Sequence, residues 1–114
     1  MKRYCFTCDL KDDAEAIETY KKYHRPENER REITKSIRDA GVMDMQIYLV
    51  ANRLFMIMDV DDNFSLEKKQ QLDGQNLAVH EWEKLMENFQ QVPDFSKNGE
   101  KWVLMEQVYG LPES

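Results

Sequence analysis

Three stretches of the chain alternate apolar and polar residues with a period of two, which is typical of half-buried β-strands. Residues 3–10, 43–50 and 53–60 are therefore predicted strands, and Ala51-Asn52 is the predicted turn of a hairpin between the last two. The apolar positions on one face of each strand are Tyr4, Phe6, Cys8 and Leu10, then Met43, Met45, Ile47 and Leu49, then Leu54, Met56, Met58 and Val60.

Between the first two strands, apolar residues recur every three or four positions, which predicts helices. Asp12 or Asp13 can cap a first helix that ends near His24, because Pro26 disfavours helical backbone at the residue before it. Asn28 is predicted to cap a second helix, and Gly41 is the residue that ends it.

The second half of the chain repeats the arrangement of helices followed by a strand. Ser65 can cap a short helix to about Leu72, which Asp73-Gly74 interrupts. The spacing of Val79, Trp82, Met86 and Phe89 predicts a longer helix over residues 77–90, and residues 102–109 are the last predicted strand.

This order of elements predicts one α+β domain over residues 1–114 with a ferredoxin-like split βαβ fold. Four antiparallel strands would carry the helices on one face. The other face, to which Met and aromatic positions are assigned, would be open to water, which predicts a homodimer that buries it.

The net charge of the chain limits the kinds of partner that it is expected to bind. The 16 Lys and Arg residues are outnumbered by 22 Asp and Glu residues, for a net charge of −6. A nucleic-acid or anionic-membrane surface would need clustered cations, so a small neutral ligand is expected instead. No apolar run approaches the roughly 20 residues of a membrane span and no signal peptide is visible, so the cytoplasm is the expected compartment.

Cys5 and Cys8 form a C-x-x-C pattern. In a strand they point to opposite faces, and no second pair exists to complete a zinc site. The pattern predicts a structural role, with no metal site and no cofactor.

Tyr20 and His24 are one turn apart on the first predicted helix, so a phenol and an imidazole become neighbours. From the residues alone, His24 is more readily an exposed helix-end residue, and Tyr20 and Trp82 are more readily core. His80 lies on the polar side of its helix and is expected to be solvated.

Several motifs in the same order resemble the L-rhamnose mutarotase family, and within it a branch whose members are often linked to L-fucose. They are Tyr20-x-x-x-His24, His24-Arg25-Pro26-Glu27-Asn28, Gly41, Ile47-Tyr48-Leu49, Asn52-Arg53-Leu54-Phe55-Met56, the helix 81–86, and the segment 99–106.

The resemblance implies a dimeric α+β barrel and an isomerase that interconverts the α and β anomers of a deoxyhexose, L-rhamnose or L-fucose. It implies that His24 is the general acid, that Tyr20 contacts the sugar, and that Trp82 forms one wall of the pocket. A histidine that titrates near neutrality can catalyse this reaction without a metal.

Three positions depart from the family pattern. Met45 stands where rhamnose-specific members commonly have tyrosine, and Glu83 where they have a second tryptophan. Both are assigned to the substrate-binding set. Glu29-Arg30-Arg31 replaces an aromatic-proline segment, which makes that rim more polar.

Two other functions fit the same fold. One is a ferredoxin-like monooxygenase or haem-degrading protein, against which the polar segment after His24 argues. The other is a non-catalytic module that binds sugar or mediates dimerisation.

Overall fold

The computed structural model describes residues 2–113 and contains the predicted antiparallel sheet. Along the sheet the strands follow the order β2-β3-β1-β4, and β5 pairs with β1. The strands are β1 Lys2–Leu10, β2 Val42–Val50, β3 Arg53–Val60, β4 Gln90–Gln91 and β5 Val103–Leu104. This is the strand order of a split βαβ fold, and the predicted fold class is confirmed.

Four α-helices form the two crossovers. They are α1 Ala14–Tyr23, α2 Arg31–Asp39, α3 Leu66–Gly74 and α4 Leu77–Met86, with a 3₁₀ turn at Pro26–Asn28. Side chains cap three of the four helices: Asp13 caps α1, Ser65 caps α3 and Asn76 caps α4. None of these helices, within the described part of the chain, is long and apolar enough to cross a membrane.

The sheet buries its apolar face against the helices. One core cluster centres on Cys8, Leu10, Tyr20, Leu54 and Met86, and Trp82 and Phe89 pack against it. A second cluster lies toward the other end of the sheet and contains Val42, Met58, Val60 and Phe64. The first cluster holds the end of α1 against the sheet, and the second packs α2 and α3 against it.

The predicted position of the methionines is wrong. Met45 and Met58 pack in the second core cluster with Ile37 of α2 and Leu66 of α3, so they face the helices. The opposite face carries Phe55 and its neighbour in the pairing of β2 with β3, Tyr48, which is 56% exposed. The open face is therefore aromatic rather than methionine-rich.

The prediction that Asn28 caps the second helix is also wrong. Asn28 closes the 3₁₀ turn, and its side-chain amide donates to the carbonyl of Lys22 at 2.8 Å. The first residue of α2 follows Arg30, whose side chain makes no capping bond. Pro26 does have the predicted effect, since Arg25 has an extended backbone with φ −71° and ψ 146°.

The last third of the chain differs most from the prediction. Helix α4 ends at Met86 rather than near residue 90, and Gln90–Gln91 then pair with Asp9 and Leu10 as a short strand. Phe89 still packs on the core. Its spacing from Met86 therefore indicated a buried side chain, although the residue lies beyond the end of the helix. The predicted strand 102–109 is reduced to two residues, Val103–Leu104.

The two cysteines lie on opposite faces of β1, as predicted. Cys8 is fully buried and Cys5 half-buried, and both are free thiols. Burial raises the pKa of the Cys8 thiol to about 12, so it stays protonated and unreactive at neutral pH.

Candidate functional site

His24 is the C-cap of α1, where the helix ends ahead of the extended Arg25. Its Nδ1 lies 2.8 Å from the carbonyl oxygen of Tyr20, one turn back. A carbonyl oxygen can only accept a hydrogen bond, so this contact requires Nδ1 to carry a proton. In the neutral imidazole, Nε2 is then the unprotonated nitrogen, with a lone pair available to a ligand.

Two aromatic side chains hold the imidazole ring. The Tyr20 ring is stacked on it at a centroid distance of 4.1 Å and an interplanar angle of 28°. Trp82 of α4 approaches edge-on, with its centroid at 5.4 Å. These contacts restrict the orientation of His24 although the residue as a whole remains exposed.

The same packing affects protonation. Desolvation of the ring lowers the pKa of His24 below its ordinary value, and the hydrogen bond to the Tyr20 carbonyl partly opposes this. The neutral form therefore predominates at pH 7. Burial raises the pKa of Tyr20 well above its ordinary value, while a hydrogen bond with the Gln90 side chain partly opposes the rise, so the phenol stays protonated.

His24 lines a cavity of about 410 Å³ between α2 and β2. This volume lies within the roughly 300–1,000 Å³ of small-molecule sites. The lining mixes apolar and polar side chains: His24, Thr34, Ile37, Arg38, Val42, Met43, Asp44, Met45 and Ile47.

A β-bulge explains why four consecutive residues of β2 line one cavity. The pairing of β2 with β3 shifts register between Val42 and Asp44, which leaves Met43 as the extra residue, 64% exposed. Successive residues of a regular strand point to opposite faces, whereas a bulge at a sheet edge redirects them. Because β2 is an edge strand, its side chains can surround the cavity mouth.

The sequence-predicted site residues occupy different positions relative to this cavity. His24 and Met45 line it. Tyr20 is only 4% exposed and supports the imidazole from the core side. Trp82 contacts the imidazole without lining the cavity. Glu83 is exposed on α4 and does not line the cavity either.

Arg30 belongs to the polar segment that departs from the family pattern. Its guanidinium lies over the Trp82 ring, with Cζ 5.1 Å from the centroid, and 6.0 Å from the centroid of Tyr23. Arg30 thus covers indole surface beside His24. It also lines a second cavity of about 280 Å³, together with Tyr23.

Sequence reasoning did not select Thr34, Ile37, Arg38 or Asp44 for the site. The first three could have been selected from the sequence, because spacings of three and four place them on one face of α2. Asp44 was not, since its position depends on the bulge at Met43.

The sequence profile of a family described as L-rhamnose mutarotase matches residues 3–111. The chain belongs to the L-rhamnose mutarotase family. The predicted resemblance is thereby confirmed, and membership makes the chain an isomerase that acts on sugars.

One relative and two solved structures show the extent of the similarity. The chain is 33% identical over 114 residues to an L-fucose mutarotase of Xanthomonas campestris pv. campestris, covering all of this chain and 91% of the relative. It resembles the crystal structure of an L-rhamnose mutarotase from Formosa agariphila with a TM-score of 0.71 at 20% identity, covering 98% of this chain and 100% of the other. A dimeric ferredoxin-like protein from an uncultured marine organism gives a TM-score of 0.50 at 16% identity, with coverages of 84% and 91%.

Because both structures are 20% identical to this chain or less, they establish the fold of the chain and not its activity. The assignment to sugar isomerases comes from the family match along nearly the whole chain.

Proposed function

We propose that this chain is a cofactor-free mutarotase in which His24 exchanges a proton with the anomeric centre of a deoxyhexose. The observation that carries the proposal is the hydrogen bond from Nδ1 to the Tyr20 carbonyl. It leaves Nε2 as the free nitrogen of a ring that also lines a cavity of sugar-compatible size. Family membership supports the choice of reaction.

The reaction needs one group that first accepts and then returns a proton. Neutral Nε2 takes the proton of the anomeric hydroxyl, C1–O1 becomes a carbonyl, and the C1–O5 bond breaks with its electron pair moving to O5. The imidazolium then protonates O5, which gives the open aldehyde. Rotation about C1–C2 and the reverse steps close the ring with the other anomeric configuration.

The lowered pKa of His24 suits this order of events, because the neutral base is the resting form at pH 7. General acid/base catalysis typically contributes roughly 10²–10⁴-fold. Since sugars already mutarotate slowly in water, a gain of this size is sufficient.

The geometry supports a positioning role for Tyr20. Its ring stacks on the imidazole and its backbone carbonyl fixes the tautomer, while its hydroxyl is directed to Gln90. Met45 would give the sugar an apolar contact within the cavity. The wall role that family resemblance implies for Trp82 requires Arg30 to leave part of the indole face open. The exposure of Glu83 lends no support to a sugar contact there.

L-Fucose and L-rhamnose are the proposed substrates. The relative named an L-fucose mutarotase covers the complete chain and favours L-fucose. Met45 points the same way, because it lines the cavity where rhamnose-specific members commonly carry a tyrosine.

We also propose a homodimer formed through the open sheet face. Tyr48 and Phe55 place aromatic surface there, and the segment after β5 exposes Val108, Tyr109 and Leu111 by 70% or more. Apolar surface of this kind is typical of protein interfaces. The cytoplasm stays the predicted compartment.

Saturation-transfer NMR between the α and β anomeric protons tests the proposed activity. A panel of L-fucose, L-rhamnose and D-glucose is measured with and without the protein. Faster exchange for at least one L-deoxyhexose is expected. If sugars bind but none of them exchanges its anomers faster in the presence of the protein, the mutarotase assignment is refuted and a sugar-binding module is favoured.

A further inference from the structure

The second cavity, which Arg30 lines, is positively charged. Its volume of about 280 Å³ is just below the roughly 300–1,000 Å³ of sites for drug-sized ligands, so it suits a small ligand. Two of its lining residues are cations and none is acidic: Thr19, Lys22, Tyr23, Asn28 and Arg30. In a chain with a net charge of −6, this cavity is a local reversal of charge.

Helix geometry, a hydrogen bond and ring packing hold the walls of this cavity. Thr19, Lys22 and Tyr23 are three and four residues apart on α1, so they share one face of the helix. The side-chain amide of Asn28 donates to the carbonyl of Lys22 at 2.8 Å, which ties the 3₁₀ turn to the end of α1. The Tyr23 ring packs against Phe89, with the two centroids 5.7 Å apart.

Neither cation of the cavity is neutralised within the described chain. Among residues 2–113, the side chains of Lys22 and Arg30 make no ion pair and donate no hydrogen bond. Two neighbouring carboxylates have other partners: Glu18 pairs with Lys21 at 3.2 Å, and Glu29 accepts from a threonine hydroxyl of α2 at 3.1 Å. Both positive charges are therefore available to a ligand.

Aromatic contacts position the guanidinium of Arg30 without occupying its donors. The group lies over the rings of Trp82 and Tyr23, with Cζ 5.1 Å and 6.0 Å from their centroids. Guanidinium combines contact with an aromatic face and bidentate binding of an oxyanion, because its N–H donors lie in its own plane. Lys22 adds a compact charge with three donors from α1.

We propose that this cavity is a phosphate-binding site, in which Arg30 binds two oxygens of the anion and Lys22 binds a third. The phosphate is either the inorganic ion or the phosphate group of a monoester. The Tyr23 hydroxyl, which lines the same cavity, supplies a further donor. The site is separate from the His24 cavity, since no described residue lines both.

The two cations favour a dianion over other ligands. A phosphate monoester carries close to two negative charges at pH 7, because its second pKa is about 6. A carboxylate carries one charge and two oxygens, which Arg30 alone would satisfy, and a neutral sugar would leave both cations without a counter-charge. The negative charge of the rest of the chain is screened, since the Debye length is about 8 Å at physiological ionic strength.

The experiment follows amide chemical shifts in the NMR spectrum of the full chain, which report both the affinity and the location of a weakly bound ion. Inorganic phosphate, methyl phosphate and acetate are titrated at pH 7 and constant ionic strength. Lys22→Gln and Arg30→Gln each remove one cation of the cavity. The controls Arg31→Gln, at the start of α2, and Lys68→Gln, on α3, remove the same charge from residues that do not line it.

The wild type should show saturable shifts with phosphate, concentrated in residues 19–30. Each cavity variant should weaken binding about tenfold or more, the size expected for a lost hydrogen bond to a charged group, and the controls should stay within about twofold of the wild type. Arg30→Lys keeps the charge without the planar donors and should recover only part of the affinity. Circular dichroism establishes that each variant is folded.

The two phosphates distinguish the sources of the ligand. Tighter binding of methyl phosphate would identify a phosphate ester as the ligand, and tighter binding of inorganic phosphate would identify the free ion; either result supports the site. No saturable shift with either phosphate, acetate binding as tight as phosphate, or an equal loss in Arg31→Gln and Arg30→Gln would overturn the proposal. All of these outcomes are independent of anomer exchange.

Discussion

Replacement of Tyr20 by phenylalanine separates a positioning residue from a sugar contact. The substitution removes one hydroxyl and leaves the ring that stacks on His24 at 4.1 Å. The backbone carbonyl that accepts from Nδ1 is also unchanged. If Tyr20 acts by positioning, the catalytic geometry should survive.

The expected cost is therefore in stability. The Tyr20 hydroxyl is buried and hydrogen-bonded with the half-buried Gln90, which can turn to water once its partner is lost. A net loss of about 1 kcal/mol is expected for one such bond, which lowers the melting temperature by roughly 4 °C in a domain of this size.

Tyr20→Leu is the contrasting variant. It also removes the aromatic stack, and together with the lost core volume this should destabilise the protein by roughly 2–4 kcal/mol. The imidazole would lose its support, so the anomer-exchange rate should fall in Tyr20→Leu and stay within about threefold of the wild type in Tyr20→Phe.

The melting temperature is measured by thermal unfolding from 25 °C upwards, followed by circular dichroism. The anomer-exchange rate is measured by NMR at 25 °C. Both measurements include the wild type as a control. A loss of tenfold or more in exchange rate for Tyr20→Phe, with an unchanged melting temperature, would refute the reasoning. It would mean that the hydroxyl acts directly on the sugar.

Three further predictions follow from the site and the open face. Because burial lowers the pKa of His24, the exchange rate should hold at pH 7 and fall as the pH drops below about 6.5 and through that lowered pKa; a rate that rose in that range would contradict a neutral resting base. If Trp82 forms a wall of the site, sugar binding should change indole fluorescence and Trp82→Phe should bind several-fold more weakly; an unchanged signal together with equal binding would rule the wall out. Light scattering at micromolar concentration should give the mass of a dimer, and Phe55→Asp should shift it toward the monomer; a monomeric wild type would contradict the interface.

Much of the fold could be predicted because its signals are local. Strict alternation located β1, β2 and β3, and the helix end at His24 followed from the conformational limit that Pro26 imposes. Capping residues such as Asp13 and Ser65 located helix starts. Each of these signals depends on neighbours within a few residues.

The missed features depend on contacts between distant segments. Strand β4 is two residues long and exists through its pairing with Asp9 and Leu10, which no periodicity in Gln90–Gln91 reveals. Asn28 is a residue type that often caps helices, but here its side-chain amide donates a hydrogen bond to the carbonyl of Lys22. The methionines were assigned to the wrong face because alternation shows that a strand has two faces without showing which one meets the helices.

The candidate site divides in the same way. His24 and Tyr20 could be found because one helical turn joins them. The cavity could not be found, since it lies between α2 and a bulged edge strand that are brought together only in the folded chain. Most of the residues that line it accordingly emerged from the structure.

The most direct test of the account compares anomer-exchange rates in wild type, His24→Ala and His80→Ala. His80 is exposed on α4, where its ring contacts the carbonyl of Gly74, and it does not line the cavity. His24→Ala should lose most of the catalytic gain, on the order of 10²-fold or more, and His80→Ala should match the wild type. Equal rates in His24→Ala and the wild type would contradict the account, because no proton could then pass through His24.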